Sequence, residues 1–274
     1  FLKTLLRSTN CSLAGLSILL LFVNFTNPSA DFRMVSAKEI RTIIGIIGTV
    51  ISSLISLSQL PKFIQIYKKK SVEDYTPYRH VGLVTKYSLW VLYGLPLIYK
   101  DGILVTTSNG VGLGIEVIYL VVYMFYCSDK SLRRNTLWCL AYAVPFVLFF
   151  YTISLFGIES LSDRHTFIGI VCNLSSANLD YIIYMTYEYV PVWLSLARFI
   201  NAEIWTSFSL IYKFDIYVLI LNGLGMILYA YQLIYSSDRP TETTLGSNQI
   251  LGCTPPDHSN ACGHSTSTVD VVVV

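Results

Sequence analysis

The chain has 274 residues, of which 53% are hydrophobic and only 13% are charged. Soluble domains carry about 25% charged residues. The composition therefore excludes an ordinary soluble protein and indicates a membrane protein, with the lipid bilayer as its first partner. The net charge of +2 is too small to indicate a nucleic-acid partner.

The first residues of the chain form a segment of their own. Residues 1–33 place Lys3 and Arg7 ahead of a short apolar stretch. This pattern is typical of a signal-like segment, although the stretch is short for a membrane span. An upstream extension ahead of a start at Met34 is the alternative interpretation. In either case we expect residues 1–33 to lie outside the fold.

Seven apolar stretches follow, each close to the 20 residues or so that a membrane-spanning helix needs. They cover residues 42–67, 81–99, 103–126, 137–158, 167–187, 191–212 and 216–235. The fifth is the weakest, because the stretch from Asn173 to Asp180 is polar. These stretches predict an all-α membrane protein with seven transmembrane helices.

Basic residues in the loops predict the orientation of the helices. Basic residues cluster after the first and third spans: Lys68, Lys69, Lys70, Lys130, Arg133 and Arg134. The positive-inside rule places these loops in the cytosol. Seven spans then put the N-terminus outside and residues 236–274 inside. That last segment is rich in Ser, Thr, Pro and Asn, which predicts a disordered cytosolic tail.

A tandem repeat relates the first three spans to the last three. Trp90 and Asn109 recur about 114 residues later as Trp205 and Asn222, and each asparagine opens an Asn-Gly-x-Gly stretch. Equivalent helices of the two copies are four spans apart, three of the repeat and one linker, so both copies have the same orientation in the membrane. Parallel repeats of this kind place their binding site at the repeat interface. The predicted organisation is a first three-helix repeat at 40–127, a linker helix at 136–158 and a second repeat with a shortened fifth helix at 165–235.

The four repeated side chains suit a sugar. An asparagine amide both donates and accepts hydrogen bonds, as sugar hydroxyls do. A tryptophan offers a flat apolar face and one N–H donor. We therefore predict that Asn109, Asn222, Trp90 and Trp205 bind the substrate in an uncharged pocket, with the glycines beside the asparagines allowing close helix packing. Packing aromatics and interhelical hydrogen bonds are the alternative roles.

Several motifs resemble the plant SWEET (MtN3/saliva) family of sugar transporters. They are Arg41–Gly48, Lys68–Glu73, Leu89–Pro96, Ser108–Gly112, Trp193–Ala197, Lys213–Ile220 and Leu221–Gly225. The resemblance covers about residues 41–235. It implies a bidirectional uniporter that moves mono- or disaccharides, with hexoses favoured, by alternating access without ATP or ion coupling. It also implies a plasma-membrane location, with the vacuolar membrane as the alternative, and assembly with copies of itself or related transporters.

The proline pattern departs from that family, which has a hinge proline near the cytosolic end of its first, second, fifth and sixth helices. Here Gln59 and Arg79 stand at the first two positions, with Pro61 and Pro77 nearby. The fifth helix has no proline, and Pro191 matches the sixth position. We expect Pro61, Pro77 and Pro191 to act as hinges, and the missing prolines to stiffen the gating motion.

Ionisable residues inside the predicted spans are a second departure. Lys86 stands one helical turn before Trp90, where the family usually has an asparagine, and Glu203 lies two residues before Trp205. A Lys86–Glu203 pair is conceivable, but the helical phase argues against both residues facing the pore. Glu116 shares a helix face with Asn109, and we expect it to form a structural hydrogen bond.

Two other interpretations stay open. The altered hinges and short fifth span are also typical of a transport-incompetent paralogue that acts only through hetero-oligomerisation with intact relatives. A relative in the wider PQ-loop group that carries amino acids is the third.

An enzyme is not expected, because no set of nucleophile, base and orienting group and no phosphate loop is visible. No cofactor or metal is expected either. The tail residues Cys253, His258, Cys262 and His264 do not match a zinc-ligand spacing.

Overall fold

The computed structural model describes residues 36–73, 75–186 and 191–237. The predicted N-terminal segment 1–33 and all but the first two residues of the predicted tail 236–274 lie outside these ranges. The helices are α1 (Ala37–Leu57), α2 (Leu60–Lys69), α3 (Tyr78–Tyr93), α4 (Ile103–Tyr126), α5 (Lys130–Thr152), α6 (Leu161–Thr186), α7 (Val192–Leu210) and α8 (Ile216–Ser237), with a π-helical turn (Ile153–Gly157) after α5.

The described residues form seven helical spans, because α1 and α2 together make the first one. Five of the spans are long and apolar enough to cross a membrane on those grounds alone: α1–α2, α4, α5 with its π-helical turn, α6 and α8. Of the other two, α3 has only 16 residues, and α7 carries Arg198 and Glu203 within it. The observed α4 has the bounds predicted for the third span.

The three predicted hinge prolines all lie at the start of a helix. Pro61 stands in the first turn of α2, just after a break at Ser58 and Gln59. Pro77 and Pro191 are the residues immediately before α3 and α7. Proline is tolerated there because its missing N–H would have no partner within the helix. These prolines therefore mark the ends of rigid segments, and none of the three interrupts a helix.

The fifth span was expected to be short, and its helix α6 has 26 residues. It begins at Leu161, six residues before the predicted start at 167. What is short is the connection to the next helix, because only residues 187–190 and Pro191 separate α6 from α7.

The two repeats meet through two equivalent helix pairs. Helix α1 packs against α7, and α3 packs against α6, while α4 packs against α1 and α3 inside the first repeat. In the repeat, α1 is equivalent to α6 and α3 is equivalent to α7. The pair α1–α7 is therefore equivalent to the pair α3–α6, as a two-fold relation requires. The space between these pairs holds the site described below.

Glycines allow close helix approaches, but only at some of the predicted positions. A Cβ on Gly45 would lie 2.6 Å from Leu104 Cδ1, and one on the equivalent Gly169 would lie 2.4 Å from the Tyr217 ring. By contrast, a Cβ on Gly110 or Gly223 would meet nothing within 4 Å. A Cβ on Gly112 would lie 3.0 Å from the Tyr87 ring. The expectation of close packing therefore holds for Gly112 and was wrong for Gly110 and Gly223.

Candidate functional site

A cavity of about 220 Å³ lies between the two repeats. Three helices from each repeat contribute side chains to its wall: α1, α3 and α4 from the first and α6, α7 and α8 from the second. The wall includes Trp90, Asn109, Trp205 and Asn222. The structure thus brings all four predicted site residues together in one cavity.

The two tryptophans are held by serines of the opposite repeat. Trp90 Nε1 donates a hydrogen bond to Ser176 Oγ at 3.0 Å, and Trp205 Nε1 donates to Ser52 Oγ at 3.1 Å. Both indoles are buried, with 3% and 6% of their surface exposed. An indole has a single N–H donor. Because that donor is already bonded, each tryptophan can offer a ligand only its ring face.

The two asparagines have the same local geometry. Asn109 Nδ2 donates to the carbonyl oxygen of Val105, and Asn222 Nδ2 donates to that of Val218, both at 2.8 Å. Each bond ties the amide to the preceding turn of its own helix and so sets its orientation. Each amide keeps its carbonyl oxygen and a second N–H for a ligand.

An ion pair crosses the cavity wall one turn away from Trp90. Lys86 Nζ lies 3.2 Å from both carboxylate oxygens of Asp180, which joins α3 to α6. The described residues show no Lys86–Glu203 pair, as the helical phase predicted. The other repeat has a neutral residue at the position of Lys86: Asn201, four residues before Trp205, accepts a hydrogen bond from Ser52 Oγ at 2.9 Å.

A second buried polar group joins the cavity to the loop before α3. His80 Nδ1 lies 2.5 Å from Glu116 Oε2, and His80 Nε2 lies 2.5 Å from the Tyr75 hydroxyl. His80 and Glu116 are almost fully buried. The structural hydrogen bond predicted for Glu116 is therefore present. Its partner His80 was missed, because nothing in the spacing of residues 80 and 116 links them.

The cavity has a neutral end and a charged end. Its charged residues lie towards the face where α2 and α4 end, which we call the lysine-rich face after Lys68–Lys70, Lys130, Arg133 and Arg134. They are Arg79, Lys86, Glu116, Asp180 and Arg198. The prediction of an uncharged pocket holds only for the end with the four repeated residues and was wrong for the cavity as a whole.

Contacts between the repeats close the opposite face. The Tyr93 hydroxyl donates to Asp215 Oδ1 at 2.6 Å, and His165 Nε2 lies 2.6 Å from the same hydroxyl. Tyr93, of the first repeat, and Asp215, of the second, are fully buried. These contacts lie next to the end of α3 and the start of α8. They join the two repeats at this face.

Arg41 and Lys213 extend that closure to the loops. Arg41 donates to the carbonyl oxygens of Phe208, at 3.3 Å, and of Asp101, at 3.2 Å. Lys213 forms an ion pair with the Asp101 carboxylate. The hydrogen bond from Lys213 is the main reason that the pKa of Asp101 is lowered.

The comparisons with known proteins agree with this geometry. The family model described as "Sugar efflux transporter for intercellular exchange" (MtN3/saliva) matches residues 42–131. The bidirectional sugar transporter SWEET8 of Arabidopsis thaliana is 42% identical over 231 residues, which cover 79% of this chain and 97% of the relative. The chain belongs to the SWEET family.

Other SWEET proteins support this membership. The bidirectional sugar transporters SWEET4 of Arabidopsis thaliana and of Oryza sativa subsp. indica are 40% and 37% identical over 211 and 210 residues. These alignments cover 73% of this chain and 83% and 80% of the relatives. The solved structure of a eukaryotic SWEET transporter matches with a TM-score of 0.66 and 25% identity, over 74% of this chain and 99% of that one.

The SWEET membership confirms two predictions. The all-α fold with seven transmembrane helices in a 3+1+3 arrangement is the fold of the matched SWEET structure. The family is one of transporters and not of enzymes, as expected.

Proposed function

We propose that this protein is a bidirectional sugar uniporter, with hexoses favoured over disaccharides. The observation that carries the proposal is the cavity between the two repeats, whose neutral end holds Trp90, Trp205, Asn109 and Asn222. The relatives named above are bidirectional sugar transporters. A uniporter needs no cofactor and no energy source beyond the sugar gradient.

The sugar is expected to lie between the two indole rings and to bond to the two amides. Because both indole N–H groups are bonded to serines, the rings contribute apolar contact with the C–H side of a sugar ring. The free carbonyl and N–H of Asn109 and Asn222 then supply the hydrogen bonds to hydroxyls. Few polar contacts imply weak binding, which suits a transporter that must release its substrate.

Alternating access is expected to exchange which face of the bundle is closed. In the conformation described here Tyr93 and Asp215 close one face, while the cavity extends towards Arg79 and Gln232 near the lysine-rich face. By the positive-inside rule the lysine-rich face is cytosolic. Pro61, Pro77 and Pro191, at the starts of helical segments, are the proposed hinges. We place the protein in the plasma membrane, with the N-terminus outside, as homo- or hetero-oligomers.

Uptake of radiolabelled glucose in transport-deficient yeast tests this function. The wild-type chain should exceed the empty vector, and Asn109→Ala and Asn222→Ala should each reduce uptake at least tenfold at equal surface expression. Asn135→Ala, at an exposed position on α5, is the matched control and should leave uptake unchanged. Wild-type uptake equal to the vector, with the protein at the cell surface, would refute the proposal.

A second candidate function is that of a subunit that does not itself transport. The Lys86–Asp180 ion pair favours it, because this pair ties α3 to α6 across the repeat interface where helices would have to move. Such a subunit should lower uptake by a transport-competent SWEET relative when the two are co-expressed. Unchanged uptake at matched expression would exclude this function.

A further inference from the structure

A histidine lies in the closure at the face opposite the lysine-rich one. His165 stands near the start of α6 and is half-buried. Its ring packs against three tyrosine rings, with centroids 4.9, 4.6 and 5.2 Å away: Tyr93, Tyr99 and Tyr217. His165 belongs to the second repeat and Tyr93 to the first. The sugar site proposed above does not use this histidine, so its place in the closure needs another explanation.

The hydrogen bonds of the Tyr93 hydroxyl determine which atom of His165 carries a proton. A tyrosine hydroxyl has a single proton, and that of Tyr93 is donated to Asp215 Oδ1 at 2.6 Å. His165 Nε2 lies 2.6 Å from the same hydroxyl oxygen. Because the hydroxyl proton is already used, His165 Nε2 must be the donor in this second bond. The bond from His165 therefore turns the hydroxyl proton of Tyr93 towards Asp215.

Asp215 is a buried carboxylate without a cation of its own. It is fully buried, and among the described residues it forms no ion pair. Its Oδ1 accepts from Tyr93 and from the backbone N–H of Val218, while its Oδ2 has no hydrogen-bond partner in the same part of the chain. A buried charge that is not compensated is costly. A protonated His165, one hydroxyl group away, would supply the compensating charge.

The other ionisable groups that face His165 do not change their charge between about pH 5.5 and pH 8. The three tyrosines are neutral in this range. Arg164, the preceding residue, and Arg41, which donates to the Tyr99 hydroxyl at 3.4 Å, remain cationic. Histidine is the side chain whose charge ordinarily changes between these pH values. A change of the closure within this range would therefore report on His165.

We propose that His165 is a positioning residue of this closure and that its protonation tightens the closure at acid pH. As a neutral donor it orients the Tyr93 hydroxyl towards Asp215. As a cation it also compensates the charge of Asp215, because hydrogen bonds from charged donors are the stronger ones. The opening of this face does not require a sugar, so the role of His165 does not depend on the ligand of the cavity.

Thiol labelling of the full-length chain in intact yeast cells tests this role. The reporter is Val105→Cys, at a buried position in the cavity wall, in a background with all native cysteines replaced by serine. A membrane-impermeant reagent is added outside the cells at pH 5.5 and at pH 8. Because the thiolate is the reactive form, rates are compared only between variants at the same pH. Ser162→Cys, at an exposed position at the start of α6, shows that this face is reached from outside.

Two substitutions separate the donor from the charge. His165→Gln keeps an N–H donor but does not take up a proton. It should leave the labelling rate of Val105→Cys unchanged at pH 8 and raise it at least fivefold at pH 5.5. His165→Leu removes both the donor and the charge and should raise the rate at both pH values. Thr166→Ala, at the exposed neighbouring position, is the control and should change neither rate.

The outcomes test the two parts of the proposal separately. An effect of His165→Gln that is the same at pH 5.5 and pH 8 would overturn the role of protonation. Labelling of His165→Leu at the wild-type rate would overturn the positioning role. In Tyr93→Phe the hydroxyl is absent, so adding His165→Gln should change the rate at neither pH; a remaining effect would show that His165 does not act through Tyr93. Failure of glucose uptake would refute the function proposed above and would leave these labelling results unaffected.

Discussion

Trp90 and Ser176 are hydrogen-bonded across the interface between the two repeats, at 3.0 Å. The repeat reproduces this relation in Trp205 and Ser52, at 3.1 Å. Each tryptophan of the candidate site is therefore oriented by the half of the protein to which it does not belong. The proposed sugar site and the contact between the two halves share the same side chains, so we expect sugar binding and the relative position of the halves to be coupled.

The serines should matter for stability. Ser52→Ala or Ser176→Ala leaves a buried indole N–H without its acceptor, which typically costs about 1–3 kcal/mol. For a protein of this size we expect a drop in apparent Tm of about 2–4 °C per kcal/mol. Thermal unfolding in detergent measures this. Ser131→Ala, at an exposed position, should leave the Tm unchanged; an equally stable Ser176→Ala variant would contradict the role of that hydrogen bond.

The effects of substituting Lys86 and Asp180 on stability should be strongly coupled. Lys86→Asn alone leaves a half-buried carboxylate without its partner and is expected to destabilise the protein by about 1–3 kcal/mol. Lys86→Asn with Asp180→Ser imitates the neutral residues of the other repeat and should recover most of that loss. A double-mutant cycle on apparent Tm measures the coupling. Additive effects of the two changes would show that the pair contributes nothing.

The same double variant also tests gating. If the ion pair restrains α3 against α6, Lys86→Asn with Asp180→Ser should transport glucose faster than the wild type at equal surface expression. The comparison is the initial rate of uptake in yeast. A rate equal to or below that of the wild type would show that the ion pair does not limit transport.

The closure at Tyr93 should depend on its hydroxyl. Tyr93→Phe removes the hydrogen bond to Asp215, and hydrogen bonds to charged groups contribute about 1.5–3 kcal/mol. We expect a larger fraction of molecules to be open at the face that Tyr93 closes. A membrane-impermeant thiol reagent should then label Val105→Cys at least fivefold faster. The background has all native cysteines replaced by serine. Tyr212→Phe, an exposed tyrosine near the same face, is the control; unchanged labelling in Tyr93→Phe would argue against the closure.

The nearby ion pair between Asp101 and Lys213 makes its own contribution to the pH dependence of the closure at Tyr93. The hydrogen bond from Lys213 lowers the pKa of Asp101 from its ordinary value of 3.8. A lowered carboxylate pKa contributes stability that is present above the ordinary value and is lost as the pH falls below it. Because the thiolate is the reactive form, each labelling rate at Val105→Cys is compared with that of the Asp101→Asn variant at the same pH. The ratio of the two rates should be constant between pH 8 and about 5. Asp101→Asn should raise the rate equally at all these pH values, and a rise confined to low pH would contradict the assignment.

Glycine-to-alanine substitutions should lower stability where a neighbouring helix lies close to the glycine and raise it where there is space. Gly169→Ala would bring a Cβ within 2.4 Å of the Tyr217 ring, and overpacking of this kind costs about 1–3 kcal/mol. Gly110→Ala, where a Cβ meets nothing within 4 Å, should instead raise stability by about 0.5–1 kcal/mol, because alanine favours the helix. The apparent Tm of both variants gives the comparison. A more stable Gly169→Ala would contradict the close packing of α6.

Several features could be predicted because they are local or repeated. Hydropathy locates apolar helices without knowledge of their neighbours, and the bounds of α4 came out as predicted. The repeat added tertiary information, since equivalent residues of a two-fold pair face the same interface. That is why Trp90, Asn109, Trp205 and Asn222 were found together in one cavity.

Polar residues within the spans were harder to interpret. The start of α6 was placed too late because the charged residues Asp163 and Arg164 are typical of a loop. In the structure Arg164 donates to the carbonyl oxygens of Leu155 and Ile158, and His165 meets the Tyr93 hydroxyl. Their polar groups are therefore satisfied within the helical bundle, which no hydropathy window registers. Asp180 was likewise treated as part of a weak span and not as the partner of Lys86.

By itself the sequence determined the class of protein, the number of spans, the repeat and the four residues at the neutral end of the cavity. Only the tertiary structure decided which partner each charged residue has: Asp180 for Lys86, His80 for Glu116, and none in the described chain for Arg198. The physical reason is that an ion pair depends on the distance between two side chains from different helices. Helix packing sets that distance, and the spacing of residues along the chain does not.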